Sequence, residues 1–414
     1  MPWKRMPVSE QRVRFVIRAT SGRETMQGLC REFGISRPTG YLWRRRYKEV
    51  GTIQGLVERG RRPHHSPRQT SREKEQRVVA LRREYGWGAR KLQVLLIEQG
   101  QSLPVRTIHR VLKRHGLIGE EGTTPAAGQR FEREAPNELW QMDGKGEYVV
   151  RDGTCYPLSI LDDHSRYAVG LYPLRAFTAA EVNGCLVKTF ERYGVPEAML
   201  MDHGAQWWSS VNGYGLTWLG VRLIEQGISL HFGRVRHPQT QGKVERFHRT
   251  LAEAIKREGR PQTLAEWGPA LERFQQIYNE RRPHEALGML RPADRYRPSS
   301  KQYQAQPPQW EYPQGSEVRR LNTQGFLNYR GRRWFVSEAL ASRWVRVEHL
   351  DGKVLLSYRH MYVREIDLAS EITRPVVFPR ERQRGADVRG GVLRSPSGLP
   401  SDATPERKNS YCPV

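Results

Sequence analysis

Hydrophobic positions recur at helical spacing in the first part of the chain. Across residues 8–49, apolar side chains lie on both sides of a Gly34-Ile35-Ser36 turn. Ser36 stands where a helix N-cap is expected, because its hydroxyl can accept a hydrogen bond from a free backbone N–H. The pattern predicts a helix-turn-helix unit whose second helix carries Arg44, Arg45 and Arg46. An ordinary helical hairpin with a solvated basic face is the alternative.

A second helical segment begins at Arg72 and ends with a basic helix within residues 102–117. The spacing predicts that three apolar side chains of this last helix face inward, namely Ile108, Val111 and Leu112. It predicts that four basic side chains face outward, namely Arg106, Arg110, Lys113 and Arg114. We therefore expect a second helix-turn-helix-like unit.

Strand-like alternation replaces the helical pattern after Asn137. Several β-branched and aromatic runs are followed by helical segments at residues 239–258 and 264–280, which predicts a mixed sheet flanked by helices. After residue 316, short alternating strands with a hairpin turn at Asp351-Gly352 predict a small β-barrel.

Composition adds a charge that the hydrophobic pattern does not reveal. The 414 residues carry a formal net charge of +25, which favours a polyanionic partner such as nucleic acid. A ribosomal-type or membrane-surface basic protein is the alternative. Four scattered cysteines without a C-x-x-C pair favour neither a disulfide framework nor a zinc site and predict a reducing compartment. With no membrane-spanning run and no secretory signal, the sequence predicts a cytoplasmic protein.

These patterns divide the chain into eight segments. We predict a helix-turn-helix DNA-binding domain at 1–60, a basic linker at 61–71, a second helix-turn-helix-like domain at 72–118, a linker at 119–136, an α/β catalytic core at 137–297, a linker at 298–316, a small β-barrel at 317–369 and a disordered tail at 370–414.

Three acidic residues carry the candidate chemistry. Asp143 and Asp202 each end an apolar, strand-like run, and Glu245 borders the apolar stripe of a helix. Taken singly, either Asp could cap a turn, and Glu245 could be a solvated residue paired with Arg249. Together, these oxygen donors suit Mg²⁺ or Mn²⁺, and two such ions can activate an attacking hydroxyl and stabilise a leaving oxygen.

The motifs around these acids resemble a known family. Residues 137–297 are similar to the ribonuclease-H-like core of DDE transposases and retroviral integrases, and most similar to that of bacterial insertion-sequence transposases. The matching motifs are WQMD ending at Asp143, LDDHSRY at 161–167, the run ending at Asp202 with HGAQ after it, HPQTQGKVERFHRTL at 237–251 and YNERRPHEAL at 278–287. The resemblance implies a mixed five-stranded sheet with helices and makes Asp143, Asp202 and Glu245 the metal-binding triad. It also makes Gln241, His248 and Arg249 candidates for contacts to DNA ends, with Lys243 as a further basic candidate.

Two features next to the motifs need separate interpretation. The acidic pair Asp162 and Asp163 does not belong to the triad in that family, and we expect Asp163 to be structural, with hydrogen bonds near Ser165 and Arg166. More residues lie between Asp202 and Glu245 than is usual, which predicts an insertion at 207–223. The insertion is either a loop that stacks on splayed bases or a helical connection that packs its own tryptophans.

The resemblance implies a DNA transposase, a DDE-type polynucleotidyl transferase. It would bind the terminal inverted repeats of a mobile element, cut the ends with two Mg²⁺ ions and join them to target DNA. It would act as at least a dimer in the bacterial cytoplasm or nucleoid, with no membrane partner. A domesticated transposase that acts as a DNA-binding regulator is the alternative, and a structure-specific nuclease or ribonuclease H is a third reading.

Overall fold

The structure is a computed structural model that describes residues 7–58, 69–118, 132–202, 208–209, 215–232 and 242–376. The chain divides into two compact units, Met1–Ser71 and Arg72–Val414. The second unit contains the helical segment that begins at Arg72, the central sheet and the C-terminal strands.

The first unit is a bundle of three helices, α1 (Val8–Ser21), α2 (Met26–Glu32) and α3 (Arg37–Val50). The Ser36 hydroxyl accepts a hydrogen bond from the Thr39 N–H at 3.3 Å, so the predicted N-cap is confirmed. Gly40 lets α3 approach the other two helices closely, because a Cβ there would stand 2.6 Å from the Cys30 sulfur. The predicted helix-turn-helix arrangement is confirmed in this unit.

The second unit begins with three helices, α4 (Arg72–Tyr85), α5 (Ala89–Glu98) and α6 (Val105–Arg114). Ile108, Val111 and Leu112 are buried among them, as the spacing predicted. The opposite face of α6 is exposed and basic.

A mixed sheet forms the centre of the second unit. The strands in this part of the chain are β1 (Trp140–Gly144), β2 (Tyr148–Val150), β3 (Gly153–Asp162), β4 (Ala168–Leu174), β5 (Ala198–Met201), β6 (Trp208–Ser209), β7 (Gly215–Leu216) and β8 (Ser229–Phe232). The order β4-β3-β1-β5-β8 gives the predicted five-stranded sheet, and β2 pairs with the beginning of β3. β3 is antiparallel to β1 and β4, whereas β5 is parallel to β1 and β8. β6 and β7 form a separate short ladder.

Helices cover both faces of this sheet. They are α7 (Ala179–Tyr193), α8 (Trp218–Glu225), α9 (Gly242–Glu258), α10 (Leu264–Gln276) and the short α11 (Pro292–Arg295). Successive β3 residues point to opposite faces, so Ile160 packs in the cluster that contains α7 side chains, whereas Leu161 packs with α9 and α10. This arrangement matches the predicted ribonuclease-H-like core.

The C-terminal strands form an open sheet, and the predicted closed barrel is wrong. The strands are β9 (Glu317–Arg320), β10 (Phe326–Tyr329), β11 (Arg332–Phe335), β12 (Trp344–Leu350), β13 (Lys353–Tyr358), β14 (Met361–Asp367) and β15 (Ile372–Pro375). Five of them pair antiparallel in the order β15-β14-β13-β12-β9, and β10 pairs only with β11. Within the described residues no ladder joins β9 to β15, so the sheet keeps two edges. The predicted Asp351-Gly352 turn is confirmed, with positive φ at both residues and Leu350 opposite Lys353.

The open sheet packs on the central core instead of closing on itself. Its apolar side chains share one hydrophobic cluster with those of α7, α8 and the central strands. At the end of α8, the Glu225 carboxylate accepts a hydrogen bond from the Tyr358 hydroxyl at 2.8 Å and pairs with Arg343 at 3.1 Å, and its carbonyl accepts from Arg359. The apolar side chains of the open sheet are therefore buried against α8 and the core, and not inside a barrel.

The structure describes the remaining predicted segments to different extents. Residues 119–131 of the second linker and residues 377–414 of the tail lie outside the described residues. The linker at 298–316 lies against the core, where Ser299 donates to the Val195 carbonyl. In the insertion at 207–223, α8 buries Leu219, Val221 and Leu223, whereas the Trp218 side chain is 50% exposed.

Cys30, Cys155 and Cys185 are free thiols, and Cys412 lies outside the described residues. Among the helices that the structure describes, none combines the length and the apolar character needed to cross a membrane.

Candidate active site

Asp143 and Asp202 stand at the same end of two neighbouring parallel strands. The ladder pairs Trp140 of β1 with Met199 of β5 and Gln141 with Leu200. Continuing this register by two places puts Asp143 opposite Asp202, which directly follows β5. The carboxyl ends of parallel strands meet at one edge of a sheet, and buried strands such as β5 hold the chain rigidly up to that edge.

Glu245 approaches this edge from the first turn of α9. Val244 and Phe247 are buried and fix α9 against the sheet, while Glu245 between them is exposed. The helix therefore presents the carboxylate beside its apolar stripe, as the sequence predicted.

The pKa of Asp143 reports how close the three acids are. This pKa is raised from 3.8 to about 6, most strongly by burial, next by the charge of Asp202, and to a smaller extent by the charge of Glu245. A hydrogen bond at 2.9 Å from the Gly144 N–H to Asp143 Oδ1 opposes the shift. Asp143 is thus a partly desolvated carboxylate in the negative field of the other two.

The three acids are chemically suited to a divalent cation. All are carboxylates, which Mg²⁺ and Mn²⁺ prefer, and the pKa of Asp143 is raised first by burial and then by the charges of Asp202 and Glu245, which such an ion would offset. Within the described residues, no group of three or more His, Cys, Asp or Glu side chains forms a compact metal-ligand cluster. The proximity of the three acids is supported instead by the effect of the Asp202 and Glu245 charges on the pKa of Asp143.

His248, which was predicted as a contact to DNA ends, is buried next to Asp143. The residue is 7% exposed, its Nε2 lies 3.0 Å from the Ser159 hydroxyl, and its Nδ1 lies 3.8 Å from Asp143 Oδ2. Burial, helped by the charge of Lys145, lowers the pKa of His248 to about 4. The ring is neutral at pH 7, so its contact with Asp143 is not an ion pair. Helical spacing put His248 on the side of Glu245, but the sheet covers that position.

Lys145 is a charged neighbour that the sequence reasoning missed. It lies two residues after Asp143, and its charge lowers the pKa of both Asp143 and His248. The intervening Gly144 allows close packing, because a Cβ there would stand 3.0 Å from the Phe177 ring. A lysine directly after the Asp-Gly pair was the available signal.

The acidic pair Asp162 and Asp163 has two different roles. The Asp162 carboxylate accepts from the Asn137 N–H and from both the N–H and the hydroxyl of Ser165. Asp163 was expected near Ser165 and Arg166, but its carboxylate contacts Gln141 and Lys243 instead, and only its carbonyl accepts from Arg166. The Ser165 contact expected for Asp163 thus belongs to Asp162, and both carboxylates are held by hydrogen bonds or ion pairs inside the protein.

The remaining DNA-contact candidates on α9 fall into different environments. Arg249 is exposed on the same side as Glu245, and Arg246, which the sequence reasoning missed, is exposed beside them. Lys243 is only 18% exposed because it pairs with Asp163, so its predicted contact with DNA is not favoured. Gln241 lies outside the described residues.

The three arginines predicted on the helix after the turn are not equivalent. Arg45 is exposed and pairs with Glu49 at 3.6 Å, Arg46 lies over the Trp43 ring, and the Arg44 Nε is buried. Tyr41, which is 54% exposed, and Lys48 were missed, although they line a surface groove together with Arg44 and Arg45. A helical wheel drawn from Ser36 would have grouped them.

On α6 the predicted basic face is present. Arg106, Arg110 and Lys113 are all exposed and recur at intervals of four and three, so they form one stripe. Arg114 pairs instead with Glu75 of α4. The stripe offers three cations to a polyanion.

Comparisons with known proteins agree with this architecture. The Integrase core domain family matches residues 133–238, and a second family of the same description matches residues 226–292. A Helix-turn-helix domain family matches residues 11–64, and a Homeodomain-like domain family matches residues 39–112.

Individual relatives are distant. An uncharacterized 31.7 kDa protein of insertion element IS407 from Burkholderia multivorans is 25% identical over 260 residues, which cover 61% of this chain and 89% of that protein. The transposase of transposon Tn552 from Staphylococcus aureus is 23% identical over 261 residues, covering 56% of this chain and 52% of that transposase. Among solved structures, the HTLV-2 integrase catalytic core domain in complex with magnesium is 15% identical, covers 36% of this chain and 90% of that chain, and has a TM-score of 0.28.

Proposed function

We propose that this chain, which carries an integrase core domain and helix-turn-helix domains, is a DNA transposase. It binds the terminal inverted repeats of its mobile element, cleaves DNA at the element's ends and transfers the ends into target DNA. One observation carries the proposal: Asp143, Asp202 and Glu245 come from two strand ends and a helix, and the charges of Asp202 and Glu245 both raise the pKa of Asp143 at this edge of the sheet. The family matches over residues 133–292 support the same reaction class.

Asp143, Asp202 and Glu245 would hold two Mg²⁺ ions, with Mn²⁺ as a substitute. When bound, the ions supply activation of the attacking hydroxyl and stabilisation of the leaving oxygen of the phosphodiester. The protein contributes position: β1 and the Gly144 N–H orient the Asp143 carboxylate, and the apolar stripe of α9 presents Glu245.

Neighbouring groups keep Asp143 ionisable and in place. Neutral His248 fills the space between Asp143 and Ser159 without competing as a cation. Lys145 brings a positive charge close enough to favour the ionised form of Asp143 and to steer a phosphate toward the site. Exposed Arg246 and Arg249 extend the positive surface along α9.

The basic faces of α3 and α6 are assigned to duplex DNA. Arg45 and Lys48 of α3 and the stripe on α6 neutralise phosphates and position the ends, within a chain of net charge +25. Two ends must be held together for transfer, so the active form is at least a dimer, and it acts on DNA in the cytoplasm.

The decisive experiment is cleavage and strand transfer with duplex DNA that carries the repeats flanking the gene. We expect Asp143→Asn, Asp202→Asn and Glu245→Gln each to abolish both reactions in Mg²⁺ while binding of the end DNA is retained. Exposed Asp152, whose side chain accepts from the Leu264 N–H, gives a matched control, because Asp152→Asn keeps that acceptor and should keep full activity.

Full activity of Asp143→Asn would exclude the assigned site. Binding of end DNA by the wild type without any Mg²⁺- or Mn²⁺-dependent cleavage would instead favour a DNA-binding regulator. Cleavage without preference for the repeats would favour a nuclease.

A further inference from the structure

A single buried carboxylate, that of Asp163, joins the strand that carries Asp143 to the helix that carries Glu245. Asp163 Oδ1 accepts a hydrogen bond from Gln141 Nε2 at 2.6 Å, and Asp163 Oδ2 lies 2.6 Å from Lys243 Nζ. The same oxygen accepts from the Arg133 N–H at 2.9 Å. The Asp163 side chain is fully buried, so these contacts are protected from water.

The spacing of its two partners gives this carboxylate its significance. Gln141 lies two residues before Asp143 on β1, so the two side chains leave the strand on the same face. Lys243 lies two residues before Glu245 in the first turn of α9. Asp163 therefore contacts both elements just before each of them presents an acid to the site.

Hydrophobic packing alone does not specify where Glu245 stands. Val244 and Phe247 bury the apolar side of α9, but such burial is non-directional and tolerates small shifts along the helix axis. The Lys243 ammonium makes directed contacts, with the Asp163 carboxylate and, at 3.0 Å, with the Asp163 carbonyl. These contacts fix the first turn of α9 relative to the end of β3. The hydrogen bond from Gln141 to the same carboxylate fixes β1 relative to both.

We propose that Asp163 is a positioning residue that sets the distance between Glu245 and Asp143 and thereby the divalent-cation affinity of the site. The proposal rests on the proposed function in one respect, namely that these acids bind the ions. It also reassigns Lys243 from a contact with DNA to a contact that holds α9.

The neighbouring Asp162 provides a matched control. It is buried to the same extent, and its carboxylate also accepts several hydrogen bonds. Its partners are Asn137, which precedes β1, and Ser165, which follows β3, so it contacts neither Gln141 nor α9 through these bonds. Loss of either carboxylate charge disturbs a buried network, but of these two carboxylates Asp163 is the one that contacts both Gln141 of β1 and Lys243 of α9.

The test compares Asp163→Asn with Asp162→Asn in the full chain. We expect Asp163→Asn to weaken Mn²⁺ binding, measured by calorimetry without DNA, by roughly 10- to 100-fold, the usual effect of removing a group that orients metal ligands. Hydrogen–deuterium exchange in the first turn of α9 should become faster. Asp162→Asn should lose thermal stability but keep the Mn²⁺ affinity and the exchange rate of α9.

Two further variants keep the test decisive where Asp163→Asn folds poorly. The double variant Asp163→Asn with Lys243→Met also removes the ammonium that has lost its carboxylate partner, so it should regain stability but not Mn²⁺ affinity. Gln141→Met leaves the ion pair intact and should weaken Mn²⁺ binding by a smaller factor. Wild-type Mn²⁺ affinity and α9 exchange in a folded Asp163→Asn or double variant would overturn the proposal.

The failure of the proposed function has a different signature. It appears as wild-type Mn²⁺ binding that is unaffected by Asp143→Asn, or as an inactive wild type in the strand-transfer assay. The exchange measurement on α9 still decides whether Asp163 holds that helix, because it requires neither ions nor activity.

Discussion

Replacing Asp143 by Asn is expected to stabilise the metal-free protein above pH 6. In the wild type, burial and the charges of Asp202 and Glu245 raise the pKa of Asp143 from 3.8 to about 6. A raised pKa means that the folded state prefers the protonated acid. The contribution of Asp143 to the free energy of unfolding is therefore highest below about pH 4 and is lost as the pH rises through 6. The Asp143→Asn variant has no such charge and should not show this loss.

The magnitude follows from the shift. A change of about two pKa units corresponds to about 3 kcal/mol at about 1.4 kcal/mol per unit, which is an upper value because the side chain is 21% exposed. The amide oxygen of Asn can still accept from the Gly144 N–H, so the substitution removes the charge with little change in hydrogen bonding. The gain in unfolding free energy should therefore approach this value above pH 6 and vanish near pH 4.

Urea unfolding in EDTA at a series of pH values between 4 and 8 measures this difference. Asp152→Asn, an exposed control, should show no pH-dependent gain. Saturating Mg²⁺ should reverse the order, because only the wild type gains stability from the ion. A wild type that is as stable as Asp143→Asn at pH 8 in EDTA would refute the view that Asp143 is held in a crowded negative field.

Two further predictions concern other parts of the molecule. Glu225→Ala should destabilise the packing of the C-terminal sheet on α8 by about 1–3 kcal/mol, since it leaves Arg343 and Tyr358 without this acceptor. Urea unfolding measures the loss, with Glu258→Ala on the exposed end of α9 as the control, and equal stabilities of the two variants would contradict the packing argument. Arg110→Ala should weaken binding of end DNA and reduce the salt-dependence slope by about one unit, measured by fluorescence anisotropy at several salt concentrations. Arg114→Ala on the same helix should have a smaller effect because Arg114 is paired with Glu75, and an unchanged slope in Arg110→Ala would remove α6 from the DNA interface.

Local patterns predicted the elements that depend on neighbouring residues. The Ser36 cap, the buried side of α6 and the Asp351-Gly352 turn each follow from interactions within a few positions, so the sequence contains the necessary information. The number of central strands came from the family resemblance, and their order was not predicted, because strand pairing depends on distant partners.

The errors have the same origin. His248 and Lys243 both belong to α9, and helical spacing put them on the side of Glu245, but whether that side meets solvent depends on β1 and β3. The contact of His248 is Ser159, 89 residues away in sequence, and that of Lys243 is Asp163, 80 residues away. The barrel was wrong for a similar reason, since alternation predicts strands but not whether the last strand meets the first or whether α8 covers the sheet.

The charge distribution explains why the site and the surface require separate partners. A net charge of +25 attracts a polyanion, yet at the site burial and the charges of Asp202 and Glu245 raise the pKa of Asp143 although the charge of Lys145 lowers it. A DNA phosphate brought to this edge by the basic surface would meet further negative charge from Asp143, Asp202 and Glu245. Divalent ions between the acids and the phosphate would offset the negative charge of both groups. We therefore expect end DNA and Mg²⁺ to bind with positive cooperativity. This coupling should disappear in Asp143→Asn, where DNA binding should no longer depend on Mg²⁺.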